Sequence, residues 1–178
     1  ENEPLIPVTV TKKLSSSDGK TSAPLSGASF DVYVKSGDQY VKVSDGYSTQ
    51  SFTTGQNGTA SIYLKAGASY YFKETNASTT GVIDPATIVS YYEGRTGIME
   101  LQSGGYFGPV TIGGTDSAGS LGNLWSQPSI LPMMNFKNGS LEVTKYSALN
   151  TTTPVSGVTF TLYSDAACTR PVQNSDGT

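Results

Sequence analysis

Pro24-Leu25-Ser26-Gly27-Ala28-Ser29-Phe30-Asp31-Val32-Tyr33 recurs later in the chain as Pro154-Val155-Ser156-Gly157-Val158-Thr159-Phe160-Thr161-Leu162-Tyr163. Ahead of each copy stands the same tripeptide, Val10-Thr11-Lys12 and then Val143-Thr144-Lys145. Two matches in the same order mark an internal repeat. The spacing between them differs only in a polar turn, where length varies most freely. A weaker third match sets Gln56-Asn57-Gly58-Thr59 against Ser175-Asp176-Gly177-Thr178. The expected organisation is a complete domain over residues 1–138 and the N-terminal part of a second over 139–178, which restarts at Gly139-Ser140-Leu141 and breaks off at Thr178.

Working outward from the repeat, apolar residues alternate from Val8 to Lys12, at Phe30, Val32 and Val34, from Ala60 to Leu64, and from Tyr70 to Glu74. That period of two is the signature of strands with one buried face. Tyr40 to Val43 adds a further strand, Asn57-Gly58 is a hairpin signal, and Leu131 to Lys137 is the expected last strand. Twenty Gly, nine Pro and eleven Tyr against 14% charged residues favour short strands joined by turns over helices. The fold class expected is all-β, an antiparallel sandwich. Residues 76–130 lose the alternation and read as an irregular insertion before the last strand, with a short helix opened by Asp84-Pro85.

Composition also removes function classes. With no His, a Ser-His-Asp triad, a Cys-His dyad and a His-ligated zinc site are excluded, and no metal site or cofactor is expected. A net charge of -3 offers no basic footprint for nucleic acid, and no apolar run is long enough to cross a bilayer. The single Cys168 cannot close an intrachain disulfide. Paired carboxylates for glycoside hydrolysis, Asp84 with Glu93 or Glu100, lack a supporting motif. The Asn-X-Ser/Thr triplets at Asn57, Asn76, Asn138 and Asn150 are common in any chain rich in Ser and Thr.

Three polar residues break the apolar faces. Lys12 shares a face with Val8 and Val10, Glu74 with Tyr70 and Phe72, and Asn135 with Leu131 and Met133; Lys145 repeats the pattern behind Leu141 and Val143. Inward charges are costly unless paired. One explanation is that each sits at a strand end with its polar tip in water. The other is a spontaneous amide crosslink. Burial disfavours the charged forms of an amine and a carboxyl alike. A neutral Lys12 amine can then attack the Asn135 carboxamide while Glu74 polarises its oxygen and shuttles protons to the departing ammonia. Asn138 is the alternative partner, since it shares parity with Met134 and Phe136 and a different inward face would select it.

The Val-Thr-Lys tripeptide after Gly139-Ser140, the Pro24–Tyr33 block, Asn57-Gly58 and Tyr70-Tyr71-Phe72-Lys73-Glu74-Thr75 resemble the B-type (Cna B-like, prealbumin-like) repeat domains of Gram-positive adhesins and sortase-assembled pilins. The resemblance covers most of residues 8–76 and 131–178. It implies an Ig-like or prealbumin-like sandwich and an intramolecular isopeptide bond between Lys12 and Asn135 promoted by Glu74. It also implies an extracellular, cell-wall-anchored stalk or pilin whose anchor lies outside this sequence. The partners implied are neighbouring domains of the same surface protein, and there is no catalytic turnover. A competing expectation is a binding module for a host matrix protein or a glycan. In that case Tyr91, Tyr92, Tyr106, Phe107 and Trp125 of the insertion would supply the contacts.

Overall fold

The computed structural model describes residues 5–113, 130–139, 141–163 and 165–172. Trp125 and the 175–178 match fall outside them. The chain divides into two compact units, Glu1–Gly139 and Ser140–Thr178. In the first unit the strands are β1 (Leu5–Ser15), β2 (Ser22–Pro24), β3 (Ser29–Ser36), β4 (Gln39–Lys42), β5 (Ser51–Thr53), β6 (Thr59–Lys65), β7 (Ser69–Asn76), β8 (Leu101–Gln102), β9 (Tyr106–Thr111) and β10 (Met133–Phe136). One sheet has the order β10-β1-β2 with β6 also on β1; the other has the order β4-β3-β7-β9-β8 with β5 also on β3. The expected all-β sandwich is the observed architecture. Its interior is closed by Val8, Val10, Val32, Leu64, Phe72, Phe107 and Met133, all at 0% exposure.

Strand β1 changes partner along its length, and this places the site. Leu5–Thr11 run antiparallel to β6, while Lys12–Ser15 pair with β10 and Lys13–Ser15 with β2. The β1–β10 pairing is parallel, unlike the antiparallel order expected throughout. Side-chain alternation carries no information on strand direction, because it is the same for both. All four β10 residues are buried, although one inward face was expected. The second face is covered by chain from the 76–130 region: the rings of Tyr91 and Tyr92 stand edge-on to Phe136 at 4.8 and 5.4 Å.

That region is only partly an insertion. It supplies β8 and β9, and β9 pairs with β7 inside the second sheet. The alternation was hidden because Gly108-Pro109 interrupts β9 and the β7–β9 register shifts between Tyr70 and Phe72. A Cβ at Gly108, where φ is +135°, would stand 2.8 Å from the Tyr70 carbonyl oxygen. Asp84-Pro85 does open a helical turn: the Asp84 carboxylate accepts from Ala86 N at 2.9 Å, capping a 3-10 turn at Pro85–Thr87 that leads into α1 (Val89–Tyr92).

The Asn57-Gly58 turn forms, but it does not close a hairpin. Strand β5 lies on β3 and β6 lies on β1, so the turn carries the chain from one sheet to the other. Gly58 accepts a hydrogen bond from Lys12 N at 2.7 Å through its carbonyl and donates to Gly55 O at 2.9 Å.

The second unit contains β11 (Tyr146–Ser147) and β12 (Asn150–Pro154), with a bridge between Tyr163 and Pro171. The strand expected over Leu141–Lys145 is absent, and Leu141, Val143 and Lys145 are exposed. Lys145 is therefore not a buried counterpart of Lys12. Among the described residues this unit has no second sheet to cover such a face.

Gly58→Ala tests the crossing turn. With φ at +66° and a new Cβ 2.6 Å from Lys12 O and 2.8 Å from Leu25 N, the left-handed conformation alone costs about 1–3 kcal/mol. The expected outcome is a lowered thermal midpoint, read by circular dichroism; an unchanged midpoint refutes the packing described.

Candidate functional site

Lys12, Glu74 and Asn135 converge in the interior of the first unit. Lys12 continues the inward row of Ile6, Val8 and Val10 on β1. Its Cα partner on β10 is Met133, so Asn135 lies one pleat further along on the same side, roughly 7 Å along the strand at ~3.3 Å per residue. The four-carbon lysine stem bridges that offset, and Nζ donates to Asn135 Oδ1 at 2.7 Å. Glu74 enters from the opposite sheet, paired through its backbone with Phe30 of β3. Its Oε2 accepts from Asn135 Nδ2 at 2.7 Å, and its Oε1 lies 3.1 Å from Lys12 Nζ.

Lys12 and Asn135 are both 0% exposed, and the Glu74 side chain is 8% exposed. Although Oε1 is within ion-pair distance of the ammonium, it accepts no hydrogen bond of good geometry. Phe107 and Phe30 flank the ammonium, with ring centroids 4.6 and 5.3 Å from Nζ. Desolvation lowers the Lys12 pKa from 10.5 to about 8, and the neighbouring Glu74 carboxylate opposes only part of that shift. A usable fraction of neutral amine near neutral pH follows directly.

The carboxyl faces the departing nitrogen of the carboxamide, where the sequence suggested it would face the oxygen. The consequence is a carboxyl touching both nitrogens of a prospective amide exchange, one with each oxygen. Asn138 is exposed and its backbone N–H donates to Gly81 O at 2.8 Å, placing it past the end of β10 and outside the buried cluster.

The aromatic residues expected to form a recognition surface separate. Phe107 and Tyr92 are buried, at 0% and 4% exposure, because β9 is a core strand and α1 packs on β10. They are corrected from ligand contacts to core residues. Tyr106 stacks on Tyr40 with centroids 3.7 Å apart, and Tyr91, 40% exposed, carries the Arg95 guanidinium on its ring at 3.8 Å. Of the three carboxylates considered for hydrolysis, Asp84 is occupied in its cap, and Glu100 lies beside Gln102 Nε2 at 3.5 Å. One residue that sequence reasoning put in the wrong role is Tyr92, whose hydroxyl donates to Met134 O at 2.6 Å.

The Lys12 environment is open to direct measurement in an Asn135→Ala chain, which lacks the carboxamide. In a carbon-detected lysine titration, Lys12 is expected to titrate near 8, below the ordinary lysine value of 10.5. Adding Glu74→Gln removes the charge that favours the ammonium, so that midpoint should move lower still; an upward move contradicts the assignment.

A family model described as SpaA, prealbumin-like fold domain, matches residues 9–106, a span holding Lys12 and Glu74 and ending before Asn135. No curated protein matches. Among solved structures, the SpaE basal pilin from Lactobacillus rhamnosus GG, in its trigonal form, is similar at 19% identity and a TM-score of 0.35. The match covers 75% of this chain and 47% of the pilin, so the chain spans about half that pilin's length. With the family match extending over more than half of its residues, from β1 to the start of β9, the chain belongs to the SpaA prealbumin-like fold domain family.

Proposed function

We propose that the chain is a structural segment of an extracellular bacterial surface stalk or pilus, and that its first unit seals itself with an amide bond between Lys12 and Asn135. The observation that carries this reading is the meeting of three buried side chains from β1, β7 and β10 within 2.7–3.1 Å of one another.

The step balances within the three residues. Proton transfer from the Lys12 ammonium to Glu74 Oε1 gives a neutral amine and a carboxylic acid. The amine nitrogen attacks Asn135 Cγ, forming the new C–N bond. The Glu74 acid gives its proton to Nδ2, and the carboxylate so formed takes one from Nζ as the Cγ–Nδ2 bond breaks. The products are a secondary amide, one ammonia and Glu74 free to exchange its proton. Exclusion of water by Phe30, Phe107 and Met133 protects the amide from hydrolysis. The chemistry consumes its own side chains, so it happens once per molecule.

The benefit is topological. The two residues are 123 positions apart, and closing a loop of that size restricts the unfolded chain by about 5 kcal/mol on the loop-entropy scale used for disulfides. It needs no thiol, and Cys168 is free and exposed. Association with further domains or subunits of the same surface structure follows from this reading. Docking of a host protein or glycan on the 76–130 aromatics draws less support, since Phe107 and Tyr92 are in the core.

Intact mass is the test. The wild-type chain is expected to weigh one ammonia less than its sequence, and a peptide map should join the segments holding residues 12 and 135. Lys12→Arg, Asn135→Ala and Glu74→Ala should each restore the full mass and lower the melting temperature, while Asn138→Ala should leave the loss intact. A wild-type mass equal to the unmodified sequence removes the crosslink.

A further inference from the structure

Among the described residues, strand β10 has one strand neighbour, β1. Backbone groups of successive residues point to opposite strand edges, and Lys137 N donates to Ser15 O of β1 at 3.1 Å. Residues 133, 135 and 137 therefore turn their backbone groups toward β1, while 132, 134 and 136 turn theirs away. Those three outward carbonyls are each met by a donor from the chain between β7 and β8. Met99 N donates to Pro132 O at 2.9 Å, and Ile83 N to Phe136 O at 3.0 Å. The middle carbonyl, Met134 O, is met by a side chain: the Tyr92 hydroxyl, at 2.6 Å.

Met134 O belongs to the peptide group that carries the Asn135 nitrogen. Fixing that plane fixes the direction in which the Asn135 side chain leaves the strand, and a carboxamide must be held within about half an ångström of its attack geometry to react efficiently. The Tyr92 ring is locked in turn between Phe107 and Phe136, with centroids 6.0 and 5.4 Å away. The same Phe107 ring flanks Lys12 Nζ. Burial and the nearby Glu74 charge raise the Tyr92 pKa, so the hydroxyl keeps its proton and remains a donor.

We propose that Tyr92 is a positioning residue for the amide exchange: its hydroxyl supplies the donor that a neighbouring strand would supply, at the peptide that aims Asn135 at Lys12. This inference rests on the crosslink proposed above. Tyr92 touches none of the reacting atoms; it acts through the β10 backbone.

The experiment follows ammonia loss by intact mass at timed intervals after synthesis of the full chain. It compares wild type, Tyr92→Phe, Tyr91→Phe and a chain with 4-aminophenylalanine installed at position 92. Tyr92→Phe keeps the ring and its packing and is expected to slow the mass loss about tenfold, a barrier increase of about 1.4 kcal/mol. Tyr91→Phe, a neighbouring hydroxyl change, should proceed at the wild-type rate. The amino group restores a donor at the same place and should bring the rate back to within about twofold of wild type, which a role confined to packing would not predict. Wild-type kinetics in Tyr92→Phe overturn the proposal, as does a folded 4-aminophenylalanine chain as slow as or slower than tenfold, the latter even if Tyr92→Phe does not fold. A wild-type chain that never loses ammonia refutes the crosslink itself, and that outcome is distinct from either.

Discussion

An ammonium with no exposure to water, held between two sheets, is the constraint around which the first unit is organised. Removing a charge from water costs several kcal/mol, and the cost is offset only by well-placed partners. For Lys12 those partners come from strands far apart in sequence, Glu74 on β7 and Asn135 on β10. A register slip of one residue in any of the three strands would turn the polar group to the opposite face and leave the ammonium unpaired. The cluster thus couples the register of both sheets to one lysine. Gly58 extends the coupling to the backbone, because its carbonyl holds the Lys12 N–H at the point where the chain crosses between sheets.

The same cluster is legible in the sequence alone. Lys12, Glu74 and Asn135 stood out because each interrupts an apolar face, and period-two alternation reports a face reliably whatever the strand direction. What alternation cannot report is which strand lies beside which. The parallel β1–β10 pairing was missed for that reason, and so was the passage of Asn57-Gly58 between sheets. Strand β9 was missed because Gly108-Pro109 breaks its pattern and a register shift in its neighbour absorbs the irregularity. Tyr92 left a signal that pointed elsewhere: an aromatic residue in a loop-rich segment suggests recognition, and nothing local distinguishes a hydroxyl that completes a distant strand edge. Lys145 failed differently. Its sequence context matches that of Lys12, but a strand face is buried only where a second sheet covers it, and the described part of its unit has none.

The parallel arrangement of β1 and β10 gives the proposed amide its mechanical sense. In the crosslinked state the first unit is entered at the N-terminal end of β1 and left just after β10, at Gly139. A pull applied there runs from Leu5 along β1 to Lys12, across the amide to Asn135, and out. Residues 13 to 134 hang from that path as a covalently closed loop and bear none of the load. Hydrogen bonds between the two strands would otherwise be sheared together, at a net worth of about 1 kcal/mol each, far below a covalent bond. The crosslink does not need to strengthen the sandwich uniformly. Under the proposed function it would need only to join the two strands at which the unit is entered and left.

That requirement places unusual weight on a short strand that has one strand neighbour among the described residues. β10 has four residues, and its outer edge would present unpaired carbonyls to whatever lies beside it. The chain between β7 and β8 covers that edge with two backbone donors and one tyrosine hydroxyl, and Tyr91 and Tyr92 cover its outer face. The segment that reads in the sequence like an interruption of the domain therefore completes the sheet at the strand that holds Asn135. Asn135 is held on one side by the β1 ladder and on the other by the peptide plane that Tyr92 fixes. A carboxamide so restrained loses little further freedom on reaching the transition state. Intramolecular reactions of weak nucleophiles gain most of their rate from this kind of restraint, and an amine attacking an amide without an external catalyst depends on it more than most.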